Sequence, residues 1–189
     1  MPRISLPSPD SMNPDQRRVY DKIVSGRRGK IQGPLRAALH NADLAERWQA
    51  LGELLRYNTS LTPRQSEIAI LVTGRACNSP FEWYAHRLES EKIGIETDVI
   101  EALLAQQVPA SLSDDDLIVL RFATELNRHK SVSDATYAQA LARFGERTVV
   151  ELTALVGYYT MVAMTLNAHE IPLPEGVEPA FALPQKDMK

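Results

Sequence analysis

Apolar residues recur at intervals of three and four along most of the chain, which is the spacing of an amphipathic α-helix. In one stretch, Leu44, Trp48 and Leu51 fall on a single helical face. Over residues 68–72 the apolar positions are nearly continuous, as in a helix that is buried on most sides. No segment shows a convincing alternation of period two, so the pattern predicts an all-α fold.

Capping residues, prolines and glycines mark the helix boundaries. A polar or small residue followed by proline is typical of a helix start, because proline at the first helical position loses no hydrogen bond. A glycine after the last apolar position, such as Gly26 or Gly145, is typical of a helix end. The predicted starts are Asn13-Pro14, Gly33-Pro34, Asn41 or Asp43, Thr62-Pro63, Ser79-Pro80, Thr97 or Asp98, Ser113 and Ser133. A last, long apolar helix is predicted to begin at Thr148 or Val149 and to reach about Asn167.

The chain divides into one predicted domain and two arms. At 189 residues it is long enough for a single domain with a substantial core. We expect a helical domain over residues 13–170, an N-terminal arm over 1–12 and a proline-rich C-terminal arm over 171–189. We expect such arms to be mobile unless they dock on a partner or a neighbouring subunit.

Composition narrows the partners and cofactors that we expect. Basic residues (21) nearly balance acidic residues (24), for a net charge of −3, so we expect no nucleic-acid partner and no membrane surface. No apolar run approaches the ~20 residues of a membrane span, and the N-terminus is too polar for a signal peptide, so we expect a cytoplasmic protein. A single cysteine excludes an internal disulfide and a Cys-x-x-Cys pair. No histidine spacing indicates a metal site, so we expect neither metal nor cofactor.

Residues 79–86 and their neighbours supply the residue types that proton transfer requires. Glu82 and His86 are four residues apart and therefore share one face of the helix predicted there. Histidine exchanges a proton near neutral pH, and a nearby carboxylate orients the ring or raises its pKa. The only cysteine, Cys77, precedes the helix start, where outward N–H groups favour a thiolate. Glu67 enters an otherwise apolar stretch and is a further acid/base candidate.

Each of these residues also has an interpretation without chemistry. Glu82 and His86 fit a surface pair on one helix, which contributes only a few tenths of a kcal/mol. Cys77 fits a small buried apolar residue, and Glu67 fits a first-turn acid that the helix dipole favours. The sequence leaves both interpretations open.

A set of short motifs runs through the middle of the chain. They are Leu-Thr-Pro-Arg at 61–64, Glu-Ile-Ala-Ile-Leu at 67–71, Gly-Arg-Ala-Cys at 74–77, Phe-Glu-Trp-Tyr-Ala-His at 81–86 and Gly94. Together they resemble the carboxymuconolactone decarboxylase family, whose fold is shared with alkylhydroperoxidase D, and the resemblance covers roughly residues 30–170. It implies an all-helical subunit that assembles into rings, commonly trimers or hexamers. A central helical hairpin would carry the active site near a subunit contact.

The resemblance implies a small-molecule substrate and a reaction of aromatic catabolism that needs no cofactor. The name-giving reaction removes CO2 from γ-carboxymuconolactone. Losing CO2 leaves electron density that must be stabilised and then protonated. His86 is the expected proton donor, with Glu82 orienting it and Glu67 as a second acid/base group. The expected substrate-binding residues are Arg75, Trp83 and Tyr84, and Arg75 is expected to bind a substrate carboxylate.

Other functions fit the same sequence. The peroxidase branch of this fold uses a Cys-x-x-Cys pair, but Pro80 stands three residues after Cys77, so a self-contained dithiol cycle is excluded. A thiol-dependent peroxidase using Cys77 alone would need an external thiol. The chain also fits an enzyme for isomerisation, dehydration or decarboxylation of another unsaturated acid, or a non-catalytic assembly protein in which Glu82 and His86 are structural.

Overall fold

The structure is a computed structural model that describes residues 1–27 and 29–183. Within those ranges the chain forms eight α-helices and one 3-10 helix without a β-strand, so the all-α prediction is confirmed. Pro184 and the rest of the predicted C-terminal arm beyond it lie outside the described residues. The 3-10 helix spans Pro9–Ser11, and the α-helices are α1 Pro14–Ser25, α2 Pro34–Ala38, α3 Ala42–Tyr57, α4 Pro63–Ala76, α5 Pro80–Lys92, α6 Thr97–Leu104, α7 Asp114–His129 and α8 Asp134–Ala168.

Side-chain caps fix five of the predicted helix starts. Each capping oxygen accepts a hydrogen bond from the backbone N–H three residues further on, at a helix end that would otherwise leave that N–H without a partner. Such a cap stabilises a helix by about 1 kcal/mol. The capping residues are Asn13, Asn41, Thr62, Ser113 and Ser133.

The start of α5 departs from this pattern. Ser79 occupies the N-cap position before Pro80, but its side chain makes no capping bond. Its hydroxyl is buried and has no hydrogen-bond partner among the described residues. Glu82, the acid at the third helical position, lies against His86 rather than the cap. The sequence therefore predicts the position of this helix start correctly but not the way it is capped.

The long last helix contains a kink. Gly145 has a φ of 77° and a ψ of 168°, which lie outside the helical region, so two helical segments meet there, as the glycine predicted. By length and composition alone α8 would qualify as a membrane span, yet half of its most apolar 18-residue window is buried inside the protein. The core helix of a folded domain has the same composition.

Helix α4 is the centre of the fold. It packs against α5, α7 and α8, and every residue from Gln65 to Gly74 is buried. A helix covered on all sides has no face at which a charge meets water, so a carboxylate there needs an internal partner. Glu67 is the only acidic residue of that buried stretch.

A tight turn folds α5 back onto α4. Asn78 takes a left-handed φ of 49°, and the N–H of Ser79 donates to the carbonyl of Gly74 at 2.9 Å. Gly74 permits a close approach of the two helices, because a Cβ there would lie 3.4 Å from the Cβ of Glu82. The turn therefore holds Glu82 and His86 against the buried helix α4.

The N-terminal arm docks on its own chain. Arg36 donates from Nη2 to the carbonyl of Leu6 at 2.7 Å, and the N–H of Arg3 donates to the carbonyl of His169 at 2.8 Å. The side chain of Leu6 also packs against the core. These contacts hold the arm against its own chain.

Two neighbouring aromatic residues of α5 provide a test of this packing. Trp83 has no exposed surface (0%), whereas Tyr84 is half-buried. We expect Trp83→Ala to lower the free energy of unfolding by about 3–5 kcal/mol, because it leaves a large cavity in the core. We expect Tyr84→Ala to cost less than half as much. Denaturant unfolding measures both, and a larger loss for Tyr84→Ala would contradict the burial of Trp83 in the core.

Candidate active site

Two carboxylates hold one histidine ring between them inside the α4–α5 hairpin. The Nδ1 of His86 lies 2.6 Å from Oε2 of Glu67, and its Nε2 lies 3.1 Å from Oε1 of Glu82. The three residues are only 4% to 8% exposed. The structure therefore brings together the three acid/base residues that the sequence suggested.

Contacts from three helices fix the orientation of the ring. Glu82 and His86 are one turn apart on α5 and share a face. Glu67 lies 19 residues earlier on α4 and reaches the ring only because the hairpin brings the helices together. From α8, the ring of Tyr159 packs edge-on against His86, with centroids 4.9 Å apart and planes at 85°.

The two carboxylates keep the imidazole charged although it is buried. Burial alone lowers the pKa of a histidine, because the charged ring loses its hydration. The charges and hydrogen bonds of Glu67 and Glu82 outweigh burial and raise the pKa of His86 to about 9. At neutral pH the ring is therefore an imidazolium that donates one hydrogen bond from each nitrogen.

This arrangement suits proton transfer better than metal binding. Both ring nitrogens of His86 face carboxylates at hydrogen-bond distance, and an imidazolium has no lone pair to offer a metal. Within residues 1–27 and 29–183, no group of three or more His, Cys, Asp or Glu side chains is arranged to hold a metal ion. What the cluster can offer a substrate is a proton and a nearby base.

A cavity of about 340 Å³ opens beside the ring, with His86 and Glu82 in its wall. This volume lies within the range of small-molecule sites. A second cavity of about 800 Å³ shares His86 and includes Tyr84. Glu67 lines a different cavity of about 300 Å³. Other wall residues of the first cavity are Leu35, Arg56, Phe81, Tyr158, Tyr159 and Val162.

Cys77 does not line the cavities beside His86, and its surroundings raise the pKa of its thiol. Cys77 forms the C-cap of α4, where its N–H bonds to the carbonyls of Thr73 and Arg75. Burial raises the pKa of the thiol, and a hydrogen bond with Thr160 offsets only part of that rise. This corrects the expectation that the helix start would favour a thiolate.

Arg75 is also placed differently from the sequence expectation. Its Nε donates to the carbonyl of Leu104 and its Nη1 donates to Oδ1 of Asn78, both at 3.0 Å. Its guanidinium also packs over the ring of Phe181, 4.5 Å from the centroid. Because two of its nitrogens are engaged in this way and it does not line the cavities beside His86, Arg75 is not positioned to bind a substrate carboxylate there.

The two aromatic candidates for substrate binding divide between core and cavity. Trp83 has no exposed surface and packs edge-on against Phe181 with ring centroids 6.4 Å apart. It is therefore a core residue, which corrects the expectation that it lines the pocket. Tyr84 does line the larger cavity together with His86.

Two residues of the cavity wall were not among the predicted site residues. Arg56 near the end of α3 and Tyr159 in α8 both line the cavity that contains His86. Burial raises the pKa of Tyr159 well above its ordinary value, so its hydroxyl stays protonated. Neither residue belongs to a recognisable motif, and no signal in the sequence shows that α3 and α8 meet at the hairpin.

No protein-family model and no curated protein matches this sequence, but solved structures match its fold. An uncharacterized peroxidase-related protein from Silicibacter sp. is 16% identical, with a TM-score of 0.75 over 89% of this chain and 90% of that one. An uncharacterized peroxidase-related protein with an alkylhydroperoxidase AhpD core, from Ralstonia eutropha, is also 16% identical, with a TM-score of 0.75 over 92% of this chain and 93% of that one.

A third similar structure is a debrominase in complex with 2,3,4-tribromopyrrole, solved as a cysteine-to-alanine variant. It is 11% identical, with a TM-score of 0.69 over 83% of this chain and 84% of that one. At such identities the likeness establishes the fold and not the activity. The chain therefore has the all-helical AhpD-like fold.

The raised pKa of His86 links the stability of the fold to pH. The pKa of His86 is about 9 in the folded protein, above the ordinary 6.5, because the folded state favours the protonated ring. The resulting stabilisation is fully present below pH 6.5 and is lost as the pH rises through about 9. The difference corresponds to about 3 kcal/mol. We therefore expect the free energy of unfolding to fall across this window.

The measurement is urea unfolding at a series of pH values in a Cys77→Ala background, because the raised pKa of the thiol produces a trend of the same sign. We expect the fall to be lost when His86→Gln is added to that background. Equal pH profiles with and without His86 would contradict the raised pKa.

Proposed function

We propose that the chain is a cofactor-free acid/base enzyme of the cytoplasm that removes CO2 from a small unsaturated lactone acid of the carboxymuconolactone type. The observation that carries this proposal is the imidazolium of His86, held between Glu67 and Glu82 in the wall of a cavity of about 340 Å³. Decarboxylation leaves a carbanion-like carbon, and a positioned acid supplies the proton which that carbon needs. The motifs at 67–71 and 81–86 support this substrate type.

The two carboxylates have different roles in this proposal. Glu67 accepts from Nδ1 at 2.6 Å and does not line the cavity that His86 and Glu82 share, so it orients the ring. Glu82 takes the longer contact, 3.1 Å, at Nε2 and shares the cavity wall. The Nε2–H proton is therefore the one that transfers to the substrate. The orienting role that the sequence suggested for Glu82 is thus proposed for Glu67.

One proton is consumed in each turnover. The C–C bond to the departing carboxylate breaks, CO2 leaves, and the electron pair delocalises into the unsaturated lactone. His86 then donates its Nε2 proton to the carbon. The ring is left neutral, with Nδ1–H still donating to Glu67, and it takes up a proton from water before the next turnover.

A one-cysteine peroxidase is the second candidate. Two of the structures with the same fold are peroxidase-related proteins, which favours it. The thiolate is the form that attacks a peroxide, however, and burial of Cys77 raises the pKa of its thiol. Pro80 cannot resolve an oxidised Cys77, so this activity would depend on an external thiol.

We also propose that copies of the chain associate through the second half of α8, as a trimer or hexamer. Val150, Met161 and Met164 are 37% to 68% exposed. With the exposed residues Ala154 and Gly157 they follow helical spacing along one uncharged face. An exposed apolar face of this length is typical of a subunit contact.

The decarboxylase proposal predicts turnover of γ-carboxymuconolactone by the purified protein in an ultraviolet assay. We expect His86→Gln to lower kcat/KM by ~10²-fold or more, because it removes the proton donor. We expect kcat/KM of the unaltered protein to fall as the pH rises through about 9, where His86 loses its proton.

Two control variants separate the alternatives. His129→Gln replaces an exposed histidine outside the site, and Cys77→Ala removes the thiol; both should keep full activity. No turnover by the unaltered protein would exclude this substrate. Peroxide reduction that requires Cys77 and added thiol would support the peroxidase. Activity that survives in His86→Gln would leave the Glu67–His86–Glu82 cluster with a structural role only.

The proposed subunit contact is tested by light scattering after size-exclusion chromatography. We expect Met161→Glu combined with Met164→Glu to reduce the measured mass to that of one chain, because two charges would be buried without partners. Val108→Glu, at an apolar position that is 65% exposed after α6, should leave the mass unchanged. An assembly that survives the double substitution would place the contact elsewhere.

A further inference from the structure

Arg56 is a charged residue of the first cavity wall that forms no ion pair with a described residue, although Glu67 and Glu89 are near enough to act on its charge. In the same wall Glu82 pairs with His86, and Glu89 pairs with Lys92 at 3.0 Å. The guanidinium of Arg56 forms no ion pair and no hydrogen bond with any residue in the described ranges. An arginine that lines a cavity without an ion pair or a hydrogen bond has N–H donors available for a bound ligand.

The position of Arg56 is nevertheless fixed. Its guanidinium packs over the ring of Tyr57, 5.3 Å from the centroid, and the side chain is half-buried. It lines both the cavity of about 340 Å³ and the one of about 800 Å³, and His86 is in both walls. A guanidinium is charged at every working pH, and its planar set of donors matches the two oxygens of a carboxylate.

Tyr159 adds an uncharged donor to the same wall. Its ring is held between His86 and Tyr158, with centroids 4.9 Å and 5.2 Å away. Its hydroxyl makes no hydrogen bond with a described residue. Because burial keeps the pKa of this hydroxyl well above its ordinary value, the group remains a donor rather than a phenolate that would repel an anion.

We infer that Arg56 and the hydroxyl of Tyr159 form a subsite for a carboxylate of the substrate, and that this is the carboxylate which stays on the product. The inference rests on the proposed function, since His86 marks where the reacting carbon lies. It assigns to Arg56 the anion-binding role that the sequence suggested for Arg75.

The chemistry of CO2 loss decides which carboxylate binds there. An ion pair with arginine stabilises a carboxylate while it is charged. The departing carboxylate loses its negative charge as it becomes CO2, so that ion pair weakens during the reaction. Pairing the departing group with Arg56 would therefore stabilise the substrate more than the transition state and slow the step. A retained carboxylate keeps its charge throughout, so binding it to Arg56 positions the substrate without raising the barrier. The substrate class is thus a small acid whose product still carries a carboxylate.

The test uses succinate as the probe, with succinamide as its uncharged counterpart of similar shape, and follows amide and arginine Nε–H resonances by NMR. We expect succinate to shift the Arg56 Nε–H resonance saturably and succinamide not to do so. We expect Arg56→Gln to weaken succinate binding by about tenfold or more, and Tyr159→Phe to weaken it less, since charged pairs contribute more than neutral hydrogen bonds. Arg47→Gln is the matched control, because Arg47 is an exposed arginine of α3 that does not line these cavities.

Succinate that does not bind, that binds equally well to Arg56→Gln, or that binds no better than succinamide would each overturn the subsite. Arg56→Lys guards against a folding defect, since it keeps the charge and should retain part of the affinity. His86→Gln separates the two proposals. If succinate still binds to that variant and depends on Arg56 there, the subsite stands even when the decarboxylation assay fails.

Discussion

A histidine ring buried between two carboxylates is the interaction on which the rest of this structure depends. Each nitrogen of His86 donates to one oxygen, so neither glutamate is left as an unpaired charge away from water. Removing one member of such a buried group typically costs 3–5 kcal/mol, because the remaining charge loses its partner. The group is therefore stable only as a whole, and Glu67 and Glu82 must come from helices that the fold holds together.

Several local features of the hairpin follow from this requirement. Helix α4 is covered on all sides, so the carboxylate of Glu67 is buried, and the hydrogen bond from His86 compensates for its lost hydration. Gly74 leaves room for Glu82 to pass close to α4. The ring of Tyr159 covers the imidazole from α8 and limits its contact with water. Burial opposes the charge on the ring, but the two carboxylates keep His86 an imidazolium beside the cavity, and the proposed chemistry uses that proton.

The limits of sequence interpretation appear clearly in this site. Helix starts such as Asn13 and Thr62 are local events, because a cap depends on three or four consecutive residues, and the sequence predicted them correctly. The pairing of Glu82 with His86 is also local, one turn along a helix. The contact of Glu67 with the ring and the position of Arg56 in the cavity wall depend on how helices pack, so periodicity does not reveal them. The sequence suggested chemical roles for Arg75 and Cys77, but Arg75 donates to the carbonyl of Leu104 and to Asn78, and burial raises the pKa of the Cys77 thiol.

The central claim is that His86 is an imidazolium at neutral pH and loses its proton near pH 9. The most direct measurement is nitrogen-15 NMR of the imidazole ring in protein labelled at histidine, with His86→Gln used to assign the signals. Nδ1 and Nε2 should both show the chemical shift and attached proton of a protonated ring at neutral pH, with a midpoint near pH 9 on titration. A single protonated nitrogen at neutral pH would show a neutral imidazole and would contradict a charged ring held between Glu67 and Glu82.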